Sequence, residues 1–206
     1  VPNYRDADGD VPLAADGMPA PAAEPLEVPF VLLLPAVRQD IPTPTRLVVM
    51  AHGHSGDKER IAHLARRFNE QGLALAAIDA MGHGALSGEG GFLTADLRVA
   101  RGSFVQSDVN LIAFLEAVQG LHGLDVLPAG APDGQPDLDL SAGIGFIGES
   151  LGALTGAPAC ALVPGVRAVV LNVGGGGLTN CAPDTVEGLL GGVDRQVYWQ
   201  LKSLLQ

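Results

Sequence analysis

The chain has 206 residues, 47% hydrophobic and 17% charged, a composition that excludes disorder for most of its length and allows one domain with a core of its own. Its formal net charge of −11 argues against a nucleic-acid binder and against a polybasic membrane anchor, because both need clustered Lys and Arg.

Residues 1–45 hold most of the chain's 15 prolines and one short apolar run, Phe30–Leu34. This reads as an extended arm that contributes one strand. From Arg46 to Gln206 the pattern changes to a core of alternating strands and helices. Leu47–Ala51, Leu73–Ile78, Ile144–Ile147 and Ala168–Val173 are near-continuous apolar runs, as strands covered on both faces require. Between the first two, Ile61, Leu64, Ala65 and Phe68 recur at helical spacing, and Gly72 ends that helix. Phe104, Asp108, Leu111, Leu115 and Val118 lie along one side of a second helix, for which Ser103 is the expected cap. A third helix starts at or just after Ser150. Strands alternating with helices predict an α/β fold, a mostly parallel sheet with helices on both faces.

The charge-free stretch from Ser150 to Val166 contains Pro158 and Pro164 and is shorter than the ~20 apolar residues of a membrane helix, so no membrane span is expected. Cys160 and Cys181 read as small buried hydrophobes, with a single bridge between them as the alternative. The acidic runs Asp6–Asp10 and Asp133–Asp139 lack the Gly and Glu positions of a calcium loop and read as solvated turns. No metal site and no cofactor are expected.

The chemistry concentrates in Gly148-Glu149-Ser150-Leu151-Gly152, a G-x-S-x-G run fed by a buried strand and followed by an Ala/Leu-rich helical segment. A sharp strand-to-helix turn there lifts the serine above the sheet, and Gly148 and Gly152 keep the flanks small. Ser150 is therefore the candidate nucleophile. The backbone N–H of Leu151, together with that of His54 in the Ala51-His52-Gly53-His54 loop, would bind a developing oxyanion. His52 and His54 as catalytic bases are the alternative reading of that loop. In Asp79-Ala80-Met81-Gly82-His83-Gly84, His83 reads as a residue that holds the turn, with a ligand or base role as the alternative.

In this order the His52-Gly53 loop, the Asp79…Gly84 turn and the Gly148–Gly152 elbow resemble the α/β-hydrolase superfamily. Further segments, Pro29–Pro35, Arg101–Asp108, Pro136–Asp139 and Leu171–Gly177, resemble the secreted bacterial lipase/esterase proteins of the "virulence factor lipase" type. The resemblance spans roughly Pro29 to Leu178. It implies a serine hydrolase that acts on small-molecule or lipid esters, exported or at the cell surface.

All five histidines (His52, His54, His63, His83 and His122) precede Ser150. The superfamily order is nucleophile, acid, then histidine. The base is thus expected to be missing from this chain, and the sheet to be incomplete at the C-terminus. A C-terminally truncated hydrolase, a noncatalytic binding or surface module of the same fold, and a chain that borrows an upstream histidine all remain open. A serine peptidase is a further alternative. Asp184 is a candidate for the acid.

Overall fold

The computed structural model describes residues 1–22, 24–36, 43–89, 92, 96–129 and 131–175, and in it the apolar runs align in one sheet of five strands. The strands are β1 (Phe30–Leu33), β2 (Arg46–Ala51), β3 (Leu73–Ile78), β4 (Ile144–Glu149) and β5 (Val166–Asn172), in the order β1-β3-β2-β4-β5. The pairings β2 with β3, β2 with β4 and β4 with β5 are parallel; β1 runs antiparallel along β3. The arm's apolar run thus becomes the outer strand of the sheet, and the core runs become its parallel body.

Among the described residues three α-helices connect and cover the strands: α1 (Ala62–Asn69), α2 (Leu97–Gln119) and α3 (Leu151–Leu162). A 3-10 turn, Lys58–Ile61, precedes α1, and the Asp57 side chain caps it by accepting the Arg60 N–H. The period of 2 along each strand sorts side chains between two faces. Val48, Met50, Leu75 and Ala77 meet Ile61, Leu64, Ala65 and Phe68 on one face. Leu47, Val49, Ala74, Ala76, Ile144 and Phe146 meet Leu111, Phe114, Leu115 and Val118 of α2 and Ala159 of α3 on the other. Helices therefore lie on both faces of a mostly parallel sheet, as the strand-helix alternation predicts.

The second helix departs from its expected start. It begins at Leu97, where the Asp96 side chain accepts the Arg98 N–H, and Ser103 is buried inside it. Ahead of Ser103 the buried residues Ala100 and Gly102 are small and give no apolar stripe, and further along the inward face is polar: Ser103, Gln106, Ser107 and Asn110 are all buried. That face receives the N-terminal arm. Gln106 accepts from the Tyr4 N–H at 2.8 Å and donates to the Pro2 carbonyl at 3.0 Å and to Asn110 Oδ1 at 2.8 Å. Gly102 lets the arm come close, since a Cβ there would run into the Gly9 carbonyl.

The acidic runs form turns. Asp6 Oδ1 accepts from the N–H groups of Asp8 and Asp10, and Asp125 accepts from those of Asp133 and Gly134. Among the described residues, no helix is long and apolar enough to cross a membrane.

Candidate active site

β4 ends at Glu149 and α3 begins at Leu151, so one residue makes the turn between them. That residue, Ser150, has φ 50° and ψ −106°, a positive-φ conformation unfavourable for any residue with a Cβ. Its neighbours hold it there. The Ser150 N–H donates to the Asn172 carbonyl at 2.9 Å, and its carbonyl accepts from Ala153 and Leu154. A Cβ on Gly148 would strike the Gly152 backbone, and one on Gly152 would strike the Ala51 backbone. Both glycines are thus required by backbone-to-backbone approach. Ser150 itself is exposed at the top of the sheet, while Leu151 is 4% exposed. The Leu151 N–H belongs to the first helical turn, whose amides have no intrahelical acceptor and carry the positive end of the helix dipole.

The loop after β2 lies beside this turn. A Cβ on Gly53 would sit 3.4 Å from both Ser150 Cβ and the Glu149 carbonyl. The loop then makes a tight bend, closed by Gly56 N–H donating to the Gly53 carbonyl at 3.0 Å, with Ser55 at φ 63°. His54 is exposed, and its ring meets that of His83 edge-on at 5.3 Å between centroids. Burial, and then the neighbouring His83, lower the His54 pKa.

His52 and His83 are held differently. His52 Nδ1 faces the Gly53 carbonyl at 2.8 Å, and its Nε2 accepts from the Ala80 N–H at 3.0 Å. His83 Nδ1 faces the Met81 carbonyl at 3.0 Å, and its Nε2 accepts from the Ser55 N–H at 3.3 Å. A ring that accepts at one nitrogen and donates at the other is neutral. Burial is the main cause of a lowered His52 pKa, and the Gly53 bond, Asp79 and Asp57 oppose it.

Two carboxylates have no role in the sequence reading. Asp79, at the end of β3, is 1% exposed. It accepts from the Lys58 N–H at 2.7 Å, the Lys58 ammonium at 2.8 Å and the Ala85 N–H at 2.8 Å. Burial raises its pKa, but these donors outweigh burial and leave the group below its ordinary value. It anchors the loop after β3, and a Cβ on Gly84 would overlap its carboxylate. A charged residue at the end of a fully apolar strand was the available signal. Asp108, on α2, has a buried Oδ1 with no hydrogen-bond partner among the described residues, and burial pushes its carboxyl up to about 7. The sequence showed it only as an interruption of an apolar helix side.

The structure therefore brings the Gly53 loop, Ser150, Leu151, Gly148 and Gly152 to one end of the sheet, with His52, His54, His83 and Asp79 in the loops that follow β2 and β3 at that end. His63 lies exposed on α1, and His122 is exposed just after α2. Cys160 is half-buried with a thiol raised by burial to about 11. Asp184 and Cys181 lie outside the described residues. Among the described residues, no group of three or more His, Cys, Asp or Glu side chains could hold a metal ion.

A family model described as serine aminopeptidase, S33, matches residues 42–120, less than half of the chain. No curated protein matches the chain significantly in sequence. A Mycobacterium tuberculosis protein described as a non-heme bromoperoxidase, BpoC, matches at 16% identity and a TM-score of 0.52, over 79% of this chain and 46% of its own. A Butyrivibrio proteoclasticus protein solved with ferulic acid bound matches at 18% identity and a TM-score of 0.52, over 82% of this chain and 57% of its own. A 2,6-dihydroxy-pseudo-oxynicotine hydrolase matches at 18% identity and a TM-score of 0.50, over 91% of this chain and 44% of its own. The fold is that of the α/β-hydrolases. The chain spans about half the length of these solved structures.

Proposed function

We propose that this chain carries the nucleophile and the oxyanion-binding groups of a serine hydrolase that cleaves carboxylic esters through an acyl-serine intermediate. The observation that carries the reading is Ser150, exposed and held at φ 50° between β4 and α3 by glycines that admit no Cβ. Ser150 Oγ forms a bond to the ester carbonyl carbon while its proton passes to a base. The carbonyl oxygen becomes an oxyanion that the N–H groups of Leu151 and His54 receive. Collapse expels the alcohol, which takes the proton from the base. Water then attacks the acyl-serine with the same base accepting its proton, and collapse returns that proton to Ser150 Oγ and releases the acid.

Backbone groups occupy both ring nitrogens of His52 and of His83. Residues 151–206 contain no histidine. We therefore assign neither of these two rings as the base, and Asp184 is a candidate acid. The motif resemblance extends the reading to an exported bacterial lipase/esterase with small-molecule or lipid ester substrates. The match to serine aminopeptidases over residues 42–120 favours a second reading, a peptidase using the same serine.

A fluorophosphonate probe tests the first claim. It should label the wild-type chain at Ser150 and leave Ser150→Ala unmodified. A wild-type serine that stays inert would turn the reading toward a noncatalytic module. Turnover of p-nitrophenyl butyrate against an aminoacyl p-nitroanilide then separates esterase from peptidase.

A further inference from the structure

The loop that offers the His54 N–H is tied down on both sides by imidazoles working in opposite directions. His52, from the loop after β2, reaches across to accept the Ala80 N–H of the turn after β3. His83, from that turn, reaches back to accept the Ser55 N–H. The two rings lie 5.2 Å apart. His54 sits between His52 and Ser55, so its amide is fixed by the first contact from one side and the second from the other. The bend needs such a tie, because Ser55 is a non-glycine residue at φ 63°.

We propose that His52 and His83 form a reciprocal clamp of imidazole acceptors that holds the His54 amide in place to bind the oxyanion, and that protonating His52 opens the clamp and switches the site off. Both are positioning residues. The inference rests on the hydrolase reading above, since it assigns a purpose to the amide that reading uses. A proton on His52 Nε2 turns an acceptor into a donor facing another donor, so the Ala80 bond is lost.

The charged and titratable groups facing the pair act in both directions. Asp79 Oδ1 is 3.9 Å from His52 Nε2, and Asp57 also favours the charged ring. The Lys58 ammonium already neutralises Asp79 at 2.8 Å. His54 stands against His83, and Glu149 Cγ comes within 3.7 Å of a Cβ placed on Gly53. For His52, burial outweighs the carboxylates and keeps the ring neutral below its ordinary range.

The test follows three readouts on the full chain as pH falls from about 8 to about 4.5. They are imidazole 15N shifts, hydrogen exchange at the Ser55 and Ala80 amides corrected for intrinsic rate, and the rate of fluorophosphonate labelling at Ser150. Protonation of His52 should coincide with loss of protection at the Ala80 amide and with a fall of about tenfold or more in labelling. His83→Gln, which keeps an acceptor for the Ser55 N–H, should hold Ser55 protection and labelling at neutral pH. His83→Phe, which keeps a ring against Phe92 without an acceptor, should lose both at neutral pH while the melting transition is retained. Ala80 protection indifferent to His52 protonation would overturn the clamp. A clamp that titrates as expected, with labelling unchanged, would overturn the positioning role alone. Ser150 inert in every protein at every pH would remove the hydrolase reading, and with it the purpose assigned here.

Discussion

β3 and β5 carry similar sequences and live in opposite surroundings. Leu-Ala-Leu-Ala-Ala-Ile of β3 lies between two neighbouring strands, and five of its six residues are buried. Val-Arg-Ala-Val-Val-Leu-Asn of β5 has β4 on one side and no other strand among the described residues, and Arg167 to Asn172 are exposed. Val169, Val170 and Leu171 are 45%, 54% and 45% exposed. A run of apolar β-formers shows that a segment suits a covered strand, but what covers it is decided elsewhere in the chain. The elbow end of the sheet extends the contrast. There the constraint is backbone meeting backbone, so tolerance should be lowest at the elbow, intermediate inside β3 and highest on β5.

The largest effect is expected at the elbow. Gly152→Val forces a branched side chain into the Ala51 backbone and should cost about 3 kcal/mol in urea unfolding. A loss well under that would mean the β4–α3 junction relaxes easily. Next, Ala76→Val adds volume at a site 0% exposed in β3 and should cost about 2 kcal/mol in the same experiment.

Asp108→Asn should act with the opposite sign and depend on pH. The folded carboxyl titrates at about 7 because it is buried, whereas the unfolded chain ionises in the ordinary carboxylate range. The unfolded state therefore sheds its proton first, and stability falls as pH rises from about 4 to about 7. Asn carries no such charge. Discounted for the partial exposure of the site, the variant should gain about 1 kcal/mol over wild type at about pH 8 and almost nothing at about pH 4. Equal stabilities at both pH values would show that the carboxylate finds a partner in solution. The smallest effect closes the series. Ala168→Val, the same change as in β3 but placed on exposed β5, should stay within about 0.5 kcal/mol of wild type. A cost equal to that of Ala76→Val would show that β5 is covered.

The sequence alone determined the strand positions, the parallel α/β arrangement and the place of Ser150, because apolar periodicity and a glycine-flanked strand-to-helix turn are local properties. Tertiary structure decided what depends on distant partners. It moved the start of α2 from Ser103 to Leu97, because the turn before Ser103 packs through Gly102 against the Gly9 backbone of the arm, a contact between distant segments. It gave Asp79 three donors from Lys58 and Ala85, and left Asp108 Oδ1 with none among the described residues. It also turned His52 and His83 into paired acceptors, because hydrogen-bond roles are set by backbone amides 28 positions away in the chain, which no local pattern encodes.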